Sequence, residues 1–595
     1  MFVLGVSRSL TGHAWRWRPG AGDWDGGGDD EVSRILLARG VAREELARHR
    51  LPTIRGFMPD PCVFRDMDQA ARRLADAVGR GERVAVLGDY DVDGATSAAL
   101  LVRVLRGLGL DPLIYIPDRI EEGYGPSGEA LVALGARGAT LAVTVDCGAQ
   151  AFEALDAARA AGLDVVVVDH HKCSAALPVA HALVNPNRLD EGADGAAHGH
   201  LAAVGMCFLL AAALYRELRA RGALPSAAPE LIGLLDLVAL GTVADVAQLR
   251  GLNRAFVAQG LKVMAARANL GLDALLRAAR VHGPPRARDL GFALGPRINA
   301  GGRVGRSDLG VRLLVTEDPA EAEALAAELD RHNEERRAVE ALVIEAAEQA
   351  LADCRHQHVA LVAGAGWHPG VIGIVAGRLK ERLGRPAIVI GVDADGVGKG
   401  SGRSIPGVDL GAAVLAAKDS GLLVAGGGHA MAAGLTVRAA DVPALADFLD
   451  ARLAADVERA TADRALSLDA VLTARGVSRD LHDAFEAGGP YGAGWPAPRV
   501  VAGPVRLAEA RVVGKGHLRL TCFGDDGVRL KAVAFRQADA PLGQALLPLA
   551  PGTRLWLAGR VQPDDWGDRP GAELHLEDAA LVDTVGEVDR LGAAA

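Results

Sequence analysis

The segment Gly-Asp-Tyr-Asp-Val-Asp-Gly at positions 88–94 carries carboxylates at alternate positions, Asp89, Asp91 and Asp93. The aspartates directly follow the apolar run VAVLG at 84–88 and precede an apolar helical stretch. Alternate side chains of an extended segment share one face, so these carboxylates would repel one another strongly without cations between them. Oxygen-rich clusters of this kind bind divalent metal ions. The segment therefore predicts a metal site.

Two later apolar runs also end in side chains that bind metals. LAVTVD ends in Asp146, and VVVVD ends in Asp169, which His170 and His171 follow. If these runs are parallel strands, their carboxyl ends lie where open α/β sheets carry their functional sites. A single histidine is often structural, but a histidine pair after a buried aspartate favours a ligand role.

Asp245 interrupts the apolar segment LIGLLDLVALGTVADV at 231–246, where an unpaired carboxylate would be costly. Alone it could cap a helix or pair with an arginine; with the other motifs it is an expected ligand. A mixed Asp and His set without thiolates suits Mn²⁺ or Mg²⁺, although such sites also take Zn²⁺. Two ions sharing a bridging carboxylate would activate water for displacement at phosphorus, which predicts phosphoester hydrolysis.

The elements that must position these residues follow an α/β pattern. From Arg83 to about Pro186, continuously apolar runs alternate with helical stretches, as in a parallel sheet covered on both faces. A Gly-, Pro- and Arg-rich segment at 282–306 breaks the pattern, and 319–352 is predicted as a long connecting helix. A second α/β unit follows to about 458. Five alternating runs after Pro504 predict a small β-barrel, with the OB-fold as leading candidate.

Bulk composition is that of a large globular protein. The 595 residues suggest three to four domains, and half of the residues are hydrophobic. The net charge of −10 argues against a uniformly basic surface but permits a local basic channel. The six cysteines form no Cys-x-x-Cys pair, and no run approaches the roughly 18 apolar residues of a membrane span. We expect a cytoplasmic protein without membrane contact.

Two other protein classes share part of the first motif. An EF-hand loop that began at Asp89 would need a glutamate at its twelfth position, which here is Leu100. A haloacid-dehalogenase-like phosphatase also has Asp-x-Asp-Gly after a strand, with the first aspartate as nucleophile. Such a phosphatase needs no histidine pair after a second strand, so the later motifs argue against it.

Together these motifs resemble those of the DHH phosphoesterase superfamily, whose name-giving motif stands here as Asp169-His170-His171. The order of further motifs, over about residues 50–580, is similar to that of the RecJ family of exonucleases. Departures are minor, such as Ala300-Gly301-Gly302 where the family commonly shows Ala-Ala-Gly. The motifs are GDYDVDG, VTVDCG, DLVALGTVADV, LGPRINAGGR, GVIGIVAGRL, GKGSGRSIPG and GGGHAMAAGLT.

The resemblance implies an α/β protein with a parallel-sheet DHH domain, a long connecting helix, a second α/β domain of DHHA1 type and a C-terminal OB-fold barrel. The expected boundaries are an N-terminal extension at 1–50, the DHH catalytic domain at 51–282, an inter-domain segment and connecting helix at 283–352, the DHHA1 domain at 353–458, and the OB-fold domain with a lead-in segment at 459–595.

The activity that the resemblance implies is 5′ to 3′ hydrolysis of single-stranded DNA to 5′-mononucleotides in repair and recombination, with two Mn²⁺ or Mg²⁺ ions. Single-stranded DNA is the expected partner, and a single-strand-binding protein and a helicase are further candidates. One alternative is a DHH/DHHA1 phosphodiesterase of short oligonucleotides or cyclic dinucleotides, which generally lacks the barrel. Another is a binding module that has lost the chemistry.

By motif match, the resemblance also implies roles for single residues. Asp146 would bridge the two metals, Asp169 would orient His170 from behind, and His171 would contact the scissile phosphate or assist the leaving oxygen. The implied metal ligands are Asp89, Asp91, Asp93, Asp146, His170 and Asp245. The implied catalytic residues are Asp91, Asp93, Asp146, His170, His171 and Asp245.

Residues that would hold the DNA come from three regions. Arg297, Asn299 and Arg303 lie in the inter-domain segment, where a guanidinium could hold a phosphate with two hydrogen bonds. Ser401, Arg403 and His429 match phosphate-handling positions of the DHHA1 domain. Trp566, in a polar loop of the barrel, could stack on a base. Each also has a plainer interpretation: a solvated arginine, a tight glycine turn, or a loop anchor.

Overall fold

The computed structural model describes residues 2–19, 30–119, 121–352, 355–462, 464–564 and 571–582. The chain divides into two compact units. The larger unit comprises Pro52–Val457 with Gly492–Trp495, and the smaller comprises Met1–Leu51, Glu458–Tyr491 and Pro496–Ala595. No helix of the described ranges is long and apolar enough to cross a membrane. The N-terminal elements, which belong to the smaller unit, are β1 (Ala14–Trp17), α1 (Glu31–Ala38) and α2 (Leu46–Arg50).

A parallel sheet forms the centre of the first half of the larger unit. Its strands are β2 (Val84–Gly88), β3 (Leu113–Tyr115), β4 (Leu141–Val145), β5 (Asp164–Val168) and β6 (Ala182–Val184). All pair in parallel in the order β3-β2-β4-β5-β6. Every residue of β2 and β4 is buried, which explains why these runs are apolar throughout. The predicted parallel sheet is confirmed, and β2, β4 and β5 are neighbours.

Helices cover this sheet and continue beyond it. They are α3 (Ile54–Phe57), α4 (Met67–Arg80), α5 (Val92–Gly107), α6 (Gly128–Ala136), α7 (Phe152–Ala160), α8 (Ala193–Ala196), α9 (Ala203–Ala220), α10 (Leu235–Ala244), α11 (Gly251–Ala265), α12 (Leu270–Ala278), α13 (Ala287–Asp289), α14 (Gly295–Val304), α15 (Leu309–Val315) and α16 (Pro319–Ala352). The long connecting helix predicted at 319–352 is α16.

The segment at 282–306 is helical over much of its length, which corrects the expected break in the pattern. A π-helical turn, Leu290–Leu294, joins α13 to α14. Pro296 does not break α14 because it lies in the first turn, where its missing N–H costs nothing. The glycines serve close contacts: a Cβ at Gly302 would lie 3.1 Å from the carbonyl oxygen of Tyr90, and one at Gly301 3.2 Å from Leu329.

The second half of the larger unit is a mixed sheet with its helices. The strands are β7 (Ala360–Ala365), β8 (Ala387–Val392), β9 (Val397–Arg403), β10 (Ala425–His429) and β11 (Ala432–Arg438), in the order β10-β11-β9-β8-β7. Only β7 and β8 pair in parallel. The helices are α17 (Pro369–Leu383), α18 (Leu410–Asp419) and α19 (Val442–Ala462).

The smaller unit contains a closed barrel. Its elements are β12 (Ala465–Leu468), β13 (Ala470–Leu472), α20 (Arg479–Ala487), β14 (Val500–Val513), β15 (His517–Gly524), β16 (Arg529–Ala534), α21 (Pro541–Leu546), β17 (Arg554–Asp564) and β18 (Gly571–Leu581). The last five strands close in the ring β14-β15-β16-β18-β17, with β17 returning to β14. The predicted five-stranded OB-fold barrel is confirmed. The N-terminal β1 pairs with β12, and buried Trp15 donates a hydrogen bond to Asp578 at 2.8 Å.

Gly260 in α11 provides a stability test of the packing between α10 and α11. A Cβ at Gly260 would lie 2.1 Å from the carbonyl oxygen of Leu235 and 2.6 Å from the Cβ of Ala239, both in α10. Gly260→Ala should therefore lower the free energy of unfolding, measured with urea, by about 1–3 kcal/mol through overpacking.

Gly377→Ala is the matched control, because Gly377 lies inside α17 with no heavy atom within 4 Å of the added Cβ. It should raise stability by about 0.5–1 kcal/mol, since alanine has less backbone freedom to lose. Equal effects of the two substitutions would contradict the close packing of α10 and α11.

Candidate active site

The three aspartates of the first motif occupy the junction between β2 and α5. Asp89 follows the strand and is 4% exposed. Asp91 is the N-cap of α5, and its carboxylate accepts a hydrogen bond from the N–H of Gly94 at 3.0 Å. The alternation of aspartates suggested an extended segment. Asp93 instead lies in the first turn of the helix, so the motif is extended only in its first part. The helical turn separates Asp93 from the other two carboxylates.

Asp93 is held by the start of a different helix. Its carboxylate oxygens accept hydrogen bonds from the backbone N–H groups of Ala203, at 2.7 Å, and Val204, at 2.9 Å, in the first turn of α9. Free N–H groups at a helix N-terminus stabilise a negative charge. The fold therefore provides a favourable contact for the ionised form of a side chain that is only 1% exposed.

Asp146 and His170 lie at the centre of the cluster. Asp146 follows β4 in the left-handed region, with φ +62°, a conformation that an aspartate tolerates better than most residues. Its Oδ1 lies 3.2 Å from Nε2 of His170. The other ring nitrogen of His170, Nδ1, lies 3.0 Å from the carbonyl oxygen of Leu201. This hydrogen bond leaves Nε2 directed at the carboxylates.

The candidate ligands form three overlapping groups whose donor atoms lie within 4.8 Å of one another. Asp146 belongs to two of the groups and His170 to two, so these residues link the three groups. The groups are Asp89, Asp91 and Asp146; Asp93, His170 and Asp245; and Asp146, His170 and His171. Asp245 joins them from the C-cap of α10. All six sequence-predicted metal ligands thus converge.

The donor atoms fit bound divalent ions. Oδ1 of Asp89, Oδ1 of Asp146 and Nε2 of His170 are buried and have no hydrogen-bond partner among the described residues. Buried polar atoms in native proteins are normally satisfied by hydrogen bonds, water or ions. Carboxylate oxygens with one imidazole form a donor set that suits Mn²⁺ or Mg²⁺.

The pKa values show how strongly the cluster resists full ionisation. Burial, followed by the charge of Asp91, raises the pKa of both Asp89 and Asp245 to about 7. Burial and neighbouring carboxylates raise the pKa values of Asp93 and Asp146 well above the usual range. A cation within the cluster would reverse these shifts, because it favours the charged form of each carboxyl group.

Asp169 holds the ring of His171, which corrects the prediction that it orients His170. Its Oδ1 lies 2.8 Å from Nδ1 of His171, whereas it reaches His170 only through the backbone N–H, at 2.7 Å. Burial alone would lower the pKa of His171 and raise that of Asp169. The contact between the two side chains outweighs burial, so the pKa of His171 is raised to about 9 and that of Asp169 is lowered to about 2. The contact with Asp169 therefore favours the protonated form of His171, at the rim of the cluster.

A cationic cavity of about 230 Å³ lies between α14, α17 and β9. Its polar lining includes Arg119, Arg303, Lys399, Ser401 and Arg403. The Arg303 guanidinium donates to the carbonyl oxygen of Gly370 at 2.7 Å. Burial, followed by the charge of Arg119, lowers the pKa of Arg303 to about 10. So many cations in one cavity predict an anionic ligand.

The cavity adjoins the carboxylate cluster through Tyr90, the residue between Asp89 and Asp91. The guanidinium carbon of Arg119 lies 4.7 Å from the centre of the Tyr90 ring. Sequence reasoning missed Arg119, which lies in a loop after β3 without a recognised motif. It also missed Tyr124, whose hydroxyl donates to the carbonyl oxygen of Asp146 at 3.0 Å.

The other predicted DNA-binding residues have different surroundings. The Arg297 guanidinium donates to Asp330 and to the carbonyl oxygen of Ala293, both at 2.8 Å, and it is not part of the cavity lining. His429 is exposed at the end of β10 and is not part of the cavity lining. Asn299 is half-buried on α14, also outside that lining. Trp566 lies outside the described residues.

Metal binding should depend on pH. Below about pH 7, Asp89 and Asp245 hold protons that a metal ion must displace. We expect Mn²⁺ to raise Tm more at about pH 8 than at about pH 5.5. In the metal-free protein, these raised pKa values stabilise the fold at low pH, and that stability is lost as pH rises from about 4 to about 7.

Asp245→Asn should weaken both effects, because it removes one of the two titrating carboxyl groups. Thermal melts of metal-free and Mn²⁺-loaded protein over this pH range provide the measurement. A Mn²⁺-induced rise in Tm that is the same at both pH values would contradict the assignment.

Comparison with known proteins identifies each region. Three family profiles match the chain: the DHH family, N-terminal domain, at residues 83–242; the DHHA1 domain at 356–455; and the RecJ OB domain at 468–578. The crystal structure of RecJ from Thermus thermophilus in complex with Mn²⁺ is similar with a TM-score of 0.75 and 32% identity, covering 92% of this chain and 75% of that one. The complex with Mg²⁺ gives a TM-score of 0.70.

Sequence relatives extend over most of both chains. The single-stranded-DNA-specific exonuclease RecJ of Bacillus subtilis (strain 168) is 35% identical over 557 residues, covering 92% of this chain and 68% of the relative. The enzyme of the same name from Escherichia coli (strain K12) is 37% identical over 507 residues, covering 82% and 86%. The chain belongs to the RecJ family of single-stranded-DNA-specific exonucleases.

Proposed function

We propose that this protein is a 5′ to 3′ exonuclease that hydrolyses single-stranded DNA to 5′-mononucleotides with two Mn²⁺ or Mg²⁺ ions. The observation that carries the proposal is the convergence of the carboxylate cluster with a cationic cavity beside it. Membership of the RecJ family supports single-stranded DNA as the substrate. Polarity and a role in repair and recombination are finer proposals.

The six ligand residues would hold the ions, with Asp146 shared between them. When bound, such ions lower the pKa of water and stabilise both the attacking and the leaving oxygen at phosphorus. Asp93 keeps its position through the N–H groups of α9, and His170 through the carbonyl oxygen of Leu201. These contacts fix the donor atoms before substrate arrives, which is the arrangement that catalysis requires.

His171 is positioned to donate a proton to the leaving oxygen. Its Nδ1 lies 2.8 Å from Oδ1 of Asp169, a contact that raises the pKa of the imidazole, while 42% of the side chain stays exposed at the rim. A general acid needs both access to substrate and a proton to give. The neighbouring His170 has the opposite character: burial and the charge of His171 lower its pKa to about 4, which suits a neutral metal ligand.

The cationic cavity supports the proposed polarity. It has the charge to hold a terminal phosphate, and the 5′ end of a DNA strand commonly carries one. A phosphate held there by Arg119, Arg303 and Arg403 would place the first phosphodiester at the adjoining carboxylates. Anchoring the end in this way would release one nucleotide at a time.

The barrel favours this activity over hydrolysis of cyclic dinucleotides. Barrels of this type bind extended single strands across their surface, and a small cyclic substrate would make no use of one. The family profile that matches residues 468–578 is that of an exonuclease barrel. We further propose a cytoplasmic location, with a single-strand-binding protein and a helicase as partners in supplying the strand.

The test is digestion of a single strand labelled at either end, with a duplex control, in Mn²⁺ and in Mg²⁺. We expect mononucleotides to appear first from the 5′ end and the duplex to remain undigested. Asp146→Ala should digest neither substrate, because it lacks the shared ligand. Release from the 3′ end would contradict the polarity, and undiminished activity of Asp146→Ala would contradict the metal assignment.

Arg403→Ala tests the role of the cationic cavity in the same assay. Because the guanidinium would contact a terminal phosphate, the variant should lose roughly tenfold in kcat/KM on strands with a 5′-phosphate, and much less on strands with a 5′-hydroxyl. Lys418→Ala, which removes an exposed cation of α18, is the matched control and should behave as wild type. Equal losses of Arg403→Ala on both strands would contradict phosphate recognition.

A further inference from the structure

An exposed aromatic side chain lies beside the elements that carry the carboxylate cluster. Phe292 is 75% exposed. It belongs to the π-helical turn Leu290–Leu294, whose first and last residues are fully buried. Turns of this kind are frequent at functional sites. The turn thus presents one large apolar side chain to solvent from a well-anchored backbone.

Packing places this turn against the end of the helix that leads to Asp245. A Cβ at Gly291 would lie 3.4 Å from Cγ1 of Val243, and one at Gly295 would lie 3.3 Å from the Cβ of Ala244. Val243 and Ala244 are the last residues of α10, and Asp245 follows them directly. Phe292 therefore lies on a segment in contact with the helix end that carries a metal ligand.

The turn is also anchored from its other end. The guanidinium of Arg297 donates to the carbonyl oxygen of Ala293, which is the residue after Phe292, and to Asp330 of α16. These bonds limit the movement of the backbone that carries Phe292. A rigid aromatic side chain loses little conformational entropy when it binds a partner.

A second exposed apolar residue directly follows Asp245 in the chain. Val246 is 71% exposed and has φ +59°, a conformation that is unfavourable for a β-branched residue. It lines a cavity together with His170 and Asp245. Residues held in strained conformations cluster at binding and catalytic sites.

We infer that Phe292 and Val246 supply an apolar platform for a nucleobase next to the cleaved phosphodiester. The inference rests on the proposed function. The metal ions and the arginines of the cavity would bind the phosphates of the strand. The bases would need a separate, apolar contact surface. The flat faces of all bases stack on aromatic side chains, so such a platform suits an enzyme that must remove every nucleotide regardless of sequence.

The test compares Phe292→Ala with wild type on intact strands and on strands with one abasic residue at successive positions from the cleaved end. On intact DNA the variant should lose roughly tenfold in kcat/KM, as expected for one base–aromatic stack. When the abasic residue takes the place of the stacked base, kcat/KM of the wild type should fall to that of the variant. The kcat/KM of the variant should not fall further on that strand. Phe292→Trp should retain activity.

Two further variants complete the design. Val246→Gly removes the side chain while keeping a backbone conformation that glycine favours, so it should fold normally and show a smaller loss. Leu342→Ala removes a side chain that is 69% exposed on α16 and should act as wild type.

The inference is wrong if Phe292→Ala matches wild type on intact DNA, or if its deficit persists at every abasic position. A wild-type protein that releases no nucleotide from any strand would instead contradict the proposed function, and the inference with it.

Discussion

Repulsion among buried carboxylates is the constraint on which the active site depends. Asp93 and Asp146 are almost completely buried, and each is close to further carboxylates. Such a group is stable in the ionised state only if hydrogen bonds and cations offset its repulsion. The fold provides the hydrogen bonds, through the first turn of α9 and the N-cap of α5, and the divalent ions would supply the remaining compensation.

The larger unit brings the carboxylates and the arginines together from different directions. Neighbouring parallel strands bring their carboxyl ends to one edge of the sheet, so Asp89 and Asp146 approach each other without any local sequence relation. The arginines come from a different direction, on α14, on β9 and in the loop after β3. The carboxylates and the guanidinium groups thus adjoin each other at Tyr90.

Sequence patterns predicted those features that depend on local periodicity. Continuous apolar runs indicated the parallel strands, and Asp89 and Asp146, which directly follow two of them, proved to be members of the cluster. The helices at 287–304 were not predicted, because proline and glycine usually end helices. Here Pro296 lies in the first turn, and Gly301 and Gly302 permit close contacts. The pairing of β1 with β12 joins residues too distant in sequence for any local pattern to indicate it.

Side-chain partners were the least predictable feature. Asp169 precedes two adjacent histidines, and only their ring orientations decide which one it holds. Arg297 matched a phosphate-binding motif, yet its partner is Asp330 on α16. Arg119 could be recognised only after the chain had brought it beside Arg303 and Arg403. Such contacts depend on the tertiary structure, so the residue types predict the chemistry better than they predict each partner.

Titration of the metal-free protein with Mn²⁺, followed by electron paramagnetic resonance, tests whether two ions share Asp146. If Asp146 is shared between two ions, their spins are coupled. We expect two ions for each chain with a spin-coupled spectrum, and loss of the coupling in Asp146→Asn. A single ion, or two ions whose spectra remain uncoupled in the wild-type protein, would contradict the sharing of Asp146.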